Sequence, residues 1–293
     1  MLKLRLTKPL LLGLGVLVGG TIAALSVAQQ RQMMTPHHTP DAHTPHHDGH
    51  GHGGTEPPHH SSTSTSRAQL LKATDLSPNQ SITLTLGIRN AAGQPVKDFE
   101  RFQEALMHLI IVSDDLQVFQ HLHPTYQGQG QFQVTTTLPQ GGGYTLIADY
   151  KPAGESETVS TMPLQLMGAP PTPAPFTPQL QQTVANTLVT LELPQPLSTG
   201  ATVELRFQLR DAGTNEPLKD LQPYLGEAGH LVILRATTPL QEADYLHAHA
   251  LDTRPTDTVR FATQFPKAGR YKLWAQFQRG QTIVTAPFWV TVN

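Results

Sequence analysis

Residues 108–124 read HLIIVSDDLQVFQHLHP, and a closely similar stretch, HLVILRATTPLQEADYLHAH, returns at residues 230–249. Each stretch opens with His-Leu, continues through an apolar run, crosses a polar segment and ends in His-x-His. Short apolar runs bounded by polar turn residues are typical of strands, so each stretch predicts a β-hairpin. Its return predicts that the surrounding domain is also present twice.

The flanking sequence repeats in the same order. The segment ITLTLGIRNAAGQPVKDF, which begins at Ile82, aligns with VELRFQLRDAGTNEPLKDL, which begins at Val203. Further along, LPQGGGYTLIADY from Leu138 aligns with FPKAGRYKLWAQF from Phe265. Self-similarity of this kind indicates an internal duplication.

Each copy consists of short alternating runs between turn residues, without a long helical period. A tight turn followed by Gly-x-Tyr is typical of a late strand in an immunoglobulin-like sandwich. The pattern occurs once in each copy and places Tyr144 and Tyr271 at sheet corners. Trp274 and Trp289 lie in strand-like runs that read as core. The prediction is an all-β protein with two tandem immunoglobulin-like β-sandwich domains.

The N-terminal residues 1–28 predict a signal peptide. A basic head precedes an apolar run over residues 9–25, and Ser26 and Ala28 fit the small residues of a cleavage site. The alternative is an uncleaved membrane anchor, because the apolar run approaches the ~20 residues of a membrane span. In both cases the remainder of the chain is expected to be periplasmic or secreted, and it contacts the membrane only through this segment.

A polar tract over residues 29–68 follows, and its lack of large apolar side chains predicts disorder. The first domain is then expected over residues 69–167, a Pro-rich linker over 168–181 and the second domain over 182–293.

The composition excludes some functions and narrows others. With a formal charge of −2 the chain has no basic surface suited to nucleic acid. The absence of cysteine removes disulfides and thiolate metal ligands. The remaining possible metal ligands are His, Met, Asp and Glu, and the 293-residue chain has 15 histidines.

The strand pairing predicted for the first hairpin brings its histidines together. If strands 108–113 and 118–123 pair across a four-residue loop, His108 lies opposite His123 and Ile110 lies opposite His121. Directly opposed residues share a face and lie ~5 Å apart, so all three imidazoles project from one side. The same pairing of 230–235 with 244–249 places His230 opposite His249, with His247 on the same face. The candidate metal ligands are therefore two trios: His108, His121, His123, His230, His247 and His249.

The alternative for both trios is structural histidine that the duplication has copied. Against it, three histidines on one face, twice, are hard to attribute to packing, because a buried imidazole must satisfy two nitrogens. The acidic residues in or beside the hairpin loops read as solvated turn residues: Asp114, Asp115, Glu242 and Asp244.

The polar tract offers a second kind of site, in which histidines without fixed geometry bind metal weakly and lose it as the pH falls through the imidazole pKa of about 6.5. Its alternative is a spacer. The nine tail histidines are His37, His38, His43, His46, His47, His50, His52, His59 and His60.

Nitrogen ligands without thiolate favour copper, with zinc and nickel as alternatives. Methionine would add affinity for Cu(I), and Met162 and Met167 fall near the end of the first domain. Met107 adjoins His108 but is expected on the opposite face of its strand.

The quoted strings HLIIVSDDLQVFQHLHP, LPQGGGYTLIADY, GHLVIL, YLHAHA and FPKAGRYKLWAQF resemble bacterial secreted proteins built from tandem YtkA-like, immunoglobulin-like modules. The likeness covers most of residues 80–293. It implies a periplasmic or surface protein that handles heavy metals, copper among them, with the two histidine trios at the matching positions. The family's His-x-His-Pro is present at His121–Pro124, whereas Ala250 follows His249 in the second copy.

These observations lead to a non-catalytic metal-binding protein that captures, buffers or delivers copper outside the cytoplasm. Its expected partners are metal ions and a membrane metal transporter or a metalloprotein. Two alternatives stay open. One is an enzyme with a three-histidine metal centre, although the chain has no GxSxG, HExxH or phosphate-binding loop. The other is a surface interaction module in which the histidines are incidental.

Overall fold

Alternation of apolar and polar residues produces strands throughout the computed structural model, which describes residues 65–172 and 176–293. The first domain contains nine strands: β1 (Ser66–Ala73), β2 (Ser81–Asn90), β3 (Phe99–Glu100), β4 (Met107–Ser113), β5 (Phe119–Leu122), β6 (Thr125–Gly128), β7 (Gln131–Thr137), β8 (Gly142–Pro152) and β9 (Thr158–Leu166). The second domain contains another nine: β10 (Gln181–Val184), β11 (Thr187–Glu192), β12 (Thr202–Asp211), β13 (Leu221–Gln222), β14 (His230–Arg235), β15 (Tyr245–His249), β16 (Thr258–Gln264), β17 (Gly269–Arg279) and β18 (Thr282–Val292).

Each domain is a sandwich of a four-stranded and a five-stranded antiparallel sheet. In the first domain the sheets run β1-β2-β7-β6 and β3-β8-β4-β5, and β9 also pairs with β8. In the second domain they run β10-β11-β12-β16 and β13-β17-β14-β15, and β18 also pairs with β17. One apolar core lies between the two sheets of each sandwich, and the two cores are separate. The predicted fold class, two tandem β-sandwich domains, is confirmed.

The predicted tyrosine corners are present in both copies. The Tyr144 hydroxyl donates a hydrogen bond to the Gln140 carbonyl oxygen at 2.8 Å, and the Tyr271 hydroxyl donates to the Lys267 carbonyl oxygen at 2.7 Å. Both rings are buried. A hydroxyl bond to a carbonyl a few residues upstream is the feature that closes this corner in immunoglobulin-like sandwiches.

The domain boundaries differ slightly from the sequence prediction. Strand β1 begins at Ser66, so residues 66–68 belong to the first sandwich rather than to the polar tract. They do so because Ser66 and Ala68 are buried and pair with Asn90 and Ile88 of β2. At the other end, β10 begins at Gln181, the last residue assigned to the linker.

The predicted signal or anchor segment, 1–28, and nearly all of the His-rich tract lie outside the described residues. Within the described part of the chain, no helix has the length and apolar character needed to span a bilayer.

The central strands β4 and β14 are buried on both faces, which explains their continuous apolar runs. In β4, Leu109 and Ile111 point into the core of the first sandwich, whereas Ile110 and Val112 belong to a third apolar cluster. In β14, Leu231 and Ile233 likewise face their own sandwich. The third cluster lies between the two domains, because it joins residues of both five-stranded sheets: Ile110, Val112, Leu116, Ile147, Val232, Leu234, Leu240, Tyr245 and Trp274.

The two domains dock through equivalent faces. Phe119 of β5 stacks on Trp274 of β17, with ring centroids 4.7 Å apart and planes at 15°. The counterparts of these residues, Tyr245 of β15 and Ile147 of β8, share the same apolar cluster. The Tyr245 hydroxyl also donates a buried hydrogen bond to Asp149 Oδ2 at 3.0 Å. Trp274, which the sequence assigned to a domain core, is therefore part of the interface between domains.

Lys272 is an unusual member of this interface, because its side chain is almost fully buried on β17. Its Nζ atom lies 4.7 Å from the ring centroid of Trp289 and 5.8 Å from that of Trp274. Burial lowers the pKa of the Lys272 ammonium from 10.5 to about 8, and Asp115 acts in the opposite direction. At neutral pH the folded protein therefore keeps a charge where burial disfavours one.

We predict that Lys272→Met raises the free energy of unfolding at pH 7 by about 1–3 kcal/mol. The lowered pKa of Lys272 sets the upper limit of this gain in unfolding free energy, and the loss of the cation–π contacts with Trp289 and Trp274 reduces it. Between pH 8 and 10.5 the unfolded chain binds more protons at Lys272 than the folded chain, so the parent protein gains stability as the pH rises. Urea denaturation at pH 7 and pH 10 measures both changes. If Lys272→Met were more stable than the parent by the same amount at pH 7 and pH 10, the lowered pKa of Lys272 would be contradicted.

Candidate metal centre

The register of both hairpins is the one that the sequence predicts. In the first, Ile110 of β4 pairs with His121 of β5, and the strand ends at Leu122, one residue before His123. In the second, His230 pairs with His249 and Val232 pairs with His247. The polar segment of the second hairpin contains a short 3-10 helix, Glu242–Asp244, which accommodates its extra length.

The first hairpin gathers its three histidines into one cluster. His108, His121 and His123 each offer a ring nitrogen, and these atoms all lie within 4.8 Å of one another. The ring centroids are 4.9–5.2 Å apart. His108 is fully buried, His121 is half-buried and His123 is exposed, so the cluster is closed at one end and open to solvent at the other.

Three side chains of the second domain complete the surroundings of this cluster. Gln276 Oε1 lies 2.7 Å from His121 Nδ1, and the His230 ring centroid lies 5.2 Å from that of His121. The Tyr224 ring lies against His230 at 5.7 Å. Sequence reasoning missed Gln276 and Tyr224. The available signal was the alignment of the two copies, in which Gln276 corresponds to Asp149 and Tyr224 to Phe102.

Hydrogen bonds to groups outside the cluster orient His108 and His121. The His108 Nε2–H donates to the Phe102 carbonyl oxygen at 3.1 Å, and His121 Nδ1 lies 2.7 Å from Gln276 Oε1, with the donor set by the His121 tautomer. The Gln276 amide is held in turn by Thr285 Oγ1 at 3.2 Å. Outer bonds of this kind are usual for metal-binding histidines.

The remaining nitrogens, His108 Nδ1 and His121 Nε2, face each other at 2.9 Å. A neutral imidazole has one N–H and one lone pair, so this separation is a hydrogen bond between the two rings, with the donor set by the tautomer. A metal ion bound here would take the place of the shared proton, and His123 stands beside the same point.

The type of ligand bears on the identity of the metal. Imidazole nitrogens in a set of this kind would suit copper, nickel or zinc, and His108, His121 and His123 would supply them.

A tight turn supplies the carbonyl that holds His108. Phe102 and Ala105 exchange backbone hydrogen bonds at 3.0 and 3.1 Å, and the two residues between them, Gln103 and Glu104, have φ values of 46° and 63°. Few non-glycine residues adopt this region, so the turn is a local strain next to the site. The Phe102 ring also packs edge-on against His108, at 4.7 Å.

Burial affects the titration of two groups in and beside the cluster. It lowers the pKa of the His123 imidazole, because the folded surroundings disfavour the charged form although one side of the ring faces solvent. It raises the pKa of the Tyr224 phenol for the same reason. Both shifts keep these groups neutral at physiological pH, and a neutral imidazole is the form that binds metal.

The second trio is only partly described. The backbone positions of His247 and His249 are given above, but their side chains lie outside the described residues, so a second centre stays a prediction. His230 packs against the first trio, with its ring stacked on His108 at 5.6 Å and 27°. The predicted tail sites, His37 to His60, also lie outside the described residues.

The other residues considered as ligands have structural positions. Met107 and Met162 are buried in the core of the first sandwich, and Met167 is 63% exposed after β9. Asp244 is not a solvated turn residue, which corrects the sequence prediction. It is buried, and it accepts hydrogen bonds from Thr237 Oγ1 at 2.6 Å and from the Gln241 backbone N–H at 3.0 Å, which close the loop of the second hairpin.

Comparison with known proteins places the chain in a family and adds little about activity. A family model described as "Domain of unknown function (DUF8832)" matches residues 62–163 and 182–293, one match for each sandwich. No curated protein matches the chain. The resemblance to YtkA-like modules stays a prediction, because the matching model carries another description.

Solved structures align with the chain only at low identity and low TM-score. A tetra-tandem repeat from the extending region of a large adhesion protein is 12% identical, with 78% of this chain and 49% of that chain covered and a TM-score of 0.26. The chain thus spans about half of that structure. A two-domain fibronectin type-III segment from chicken tenascin is 13% identical, with 76% and 96% covered and a TM-score of 0.23. Salmonella alpha-2-macroglobulin reacted with methylamine is 13% identical, with 78% and 15% covered and a TM-score of 0.25. Scores this low carry no argument about function.

Proposed function

Because the chain belongs to the DUF8832 family, a family of unknown function, its activity has to be inferred from its site, and we propose that it binds a transition-metal ion, copper first, outside the cytoplasmic membrane. The cluster of ring nitrogens from His108, His121 and His123, all within 4.8 Å of one another, supports this proposal. His108 and His121 are held from outside the cluster by the Phe102 carbonyl oxygen and by Gln276, and their other nitrogens lie 2.9 Å apart beside His123.

The choice of copper rests on the ligand set. The candidate ligands are imidazoles, without thiolate, and nitrogen ligands of this kind suit copper, nickel and zinc. Cu(II) also stands highest in affinity among the divalent first-row metals for such a site. Zinc and nickel are the alternatives that a binding experiment has to compare.

A binding role fits the site better than catalysis. His108 is fully buried, His121 is half-buried and held to Gln276, and His123 is exposed, so among these three side chains the cluster opens to solvent at His123. Such a centre can take up and release an ion through one opening. In the proposed role the nine tail histidines collect ions weakly and the folded centre holds one of them tightly, for buffering or for delivery to a membrane metal transporter or a metalloprotein.

The test uses the full chain with the nine tail histidines replaced by serine, called the tail-serine variant below. We expect Cu(II) to bind it stoichiometrically, more tightly than Ni(II) or Zn(II), in isothermal titration against a competing chelator. The Cu(II) spectrum in electron paramagnetic resonance should be tetragonal with nitrogen hyperfine structure. If no metal binds the tail-serine variant while the parent chain does, the tail alone binds metal and the folded centre has another role.

A further inference from the structure

His230 belongs to the second domain, yet it lies among the histidines of the first. It is the first residue of β14 and is buried, with 1% of its surface exposed. Its ring centroid lies 5.6 Å from that of His108 and 5.2 Å from that of His121. The three rings of the first trio are 4.9–5.2 Å apart, so His230 is about as close to two of them as they are to one another.

The duplication explains this placement. His108 and His230 occupy the same position in the two copies, at or next to the start of β4 and β14. The domains dock through these equivalent faces, as the shared cluster of Ile110 and Val232 shows. When two copies of one surface meet in this way, residues near the local two-fold axis contact their own counterparts. The stacking of His108 on His230 is such a contact.

The second domain also orients the first trio. The Gln276 amide bonds to His121 Nδ1, and Tyr224 lies edge-on to both His230 and His121, at 5.7 and 6.5 Å. Thus one ligand of the first trio takes its outer hydrogen bond from the other domain. The cluster is therefore incomplete in the first domain alone.

We propose that His230 is the fourth ligand of the metal centre, which then spans the two domains; this rests on the proposed function. The nitrogen set within 4.8 Å comprises only the first trio among the described side chains, so His230 has to turn about its Cβ–Cγ bond to present a nitrogen to the ion. This torsion is soft in histidine. Four imidazoles supply the tetragonal set that Cu(II) prefers.

Two consequences separate this arrangement from two independent sites. His230 cannot serve the first centre and a centre with His247 and His249 at once, so the tail-serine variant should bind one ion tightly rather than two. The bound ion should also hold the domains together, because a ligand that binds only the docked state stabilises that state by mass action.

The experiment compares the tail-serine variant with the same protein carrying His230→Gln. We expect Cu(II) affinity to fall at least about 10-fold, a loss comparable to or larger than that of an outer-shell partner. The pulsed electron paramagnetic resonance spectrum of bound Cu(II) should show four coupled imidazoles in the tail-serine variant and three after His230→Gln. Val232→Ala is the matched control, since Val232 lies on the same strand and the same face and packs in the domain interface without a ligand atom. It should leave the spectrum unchanged.

The outcomes distinguish the two proposals. Absence of Cu(II) binding by the tail-serine variant removes the proposed function. Tight binding that His230→Gln leaves unaltered in affinity and spectrum removes the fourth ligand and keeps the function. A count of three imidazoles in the unaltered protein overturns the fourth ligand even if His230→Gln fails to fold. Two tight ions, one of which is lost with His247→Ala and His249→Ala, would show independent sites.

Discussion

Replacing His121 by alanine in the tail-serine variant is expected to lower its Cu(II) affinity by more than about 100-fold. Loss of a partner outside the coordination shell costs about 10–100-fold, and His121 supplies a coordinating nitrogen in the proposed centre. The change also removes the nitrogen that lies 2.9 Å from His108 Nδ1 and the bond to Gln276. Chelator competition followed by absorption or resonance spectra gives the affinity directly.

Gln120→Ala is the control for this prediction. Gln120 is adjacent to His121 on β5, but its amide bonds to the Thr137 carbonyl oxygen at 2.8 Å, within the first domain. The control should bind Cu(II) like its parent. His123→Ala is a second test of the trio as metal ligands. Because His123 is exposed, its removal should weaken Cu(II) binding with little effect on the free energy of unfolding. Unchanged affinity in both the His121 and the His123 variants would leave the trio as structural histidines.

Trp274→Ala is expected to lower the free energy of unfolding by about 3–5 kcal/mol, the range for truncating a large buried aromatic residue. Trp274 is 2% exposed, stacks on Phe119 of the other domain and lies in the centre of the interdomain cluster. Alanine leaves a cavity that neither sheet can close, because β4, β8, β14 and β17 are each packed against a second apolar core behind them. Urea denaturation followed by far-ultraviolet circular dichroism measures the loss.

Trp289→Ala is the matched comparison. Trp289 pairs across from Lys272 and only borders the same cluster, with its ring half-buried. Its loss should be clearly smaller than that of Trp274. If the two variants lose the same stability, the interdomain cluster does not contribute as a packed core. Because His230 and Gln276 reach the trio from the second domain, Trp274→Ala should also weaken Cu(II) binding, whereas Trp289→Ala should affect it little.

The hairpins show how far a sequence can specify a site. Strand side chains alternate with a period of two, so once Ile110 pairs with His121, the faces of His108 and His123 follow. The same rule gave the pairing of His230 with His249. The turn that holds His108 could not be foreseen, because the string RFQEA contains no glycine although two of its residues adopt positive φ. Docking and hydrogen bonding, rather than local preference, keep that turn in place.

The amino-acid sequence by itself determined the duplication, the β-sandwich class, the register of both hairpins and the grouping of the three histidines of the first, because these depend on local periodicity and on pairing between neighbouring strands. Only the tertiary structure decided that the two domains meet face to face and that His230 and Gln276 join His108 and His121. Those contacts join positions more than 100 residues apart in the chain. They arise from the burial of two apolar faces against each other, and a strand's apolar run looks the same whether its second face meets its own domain or another one.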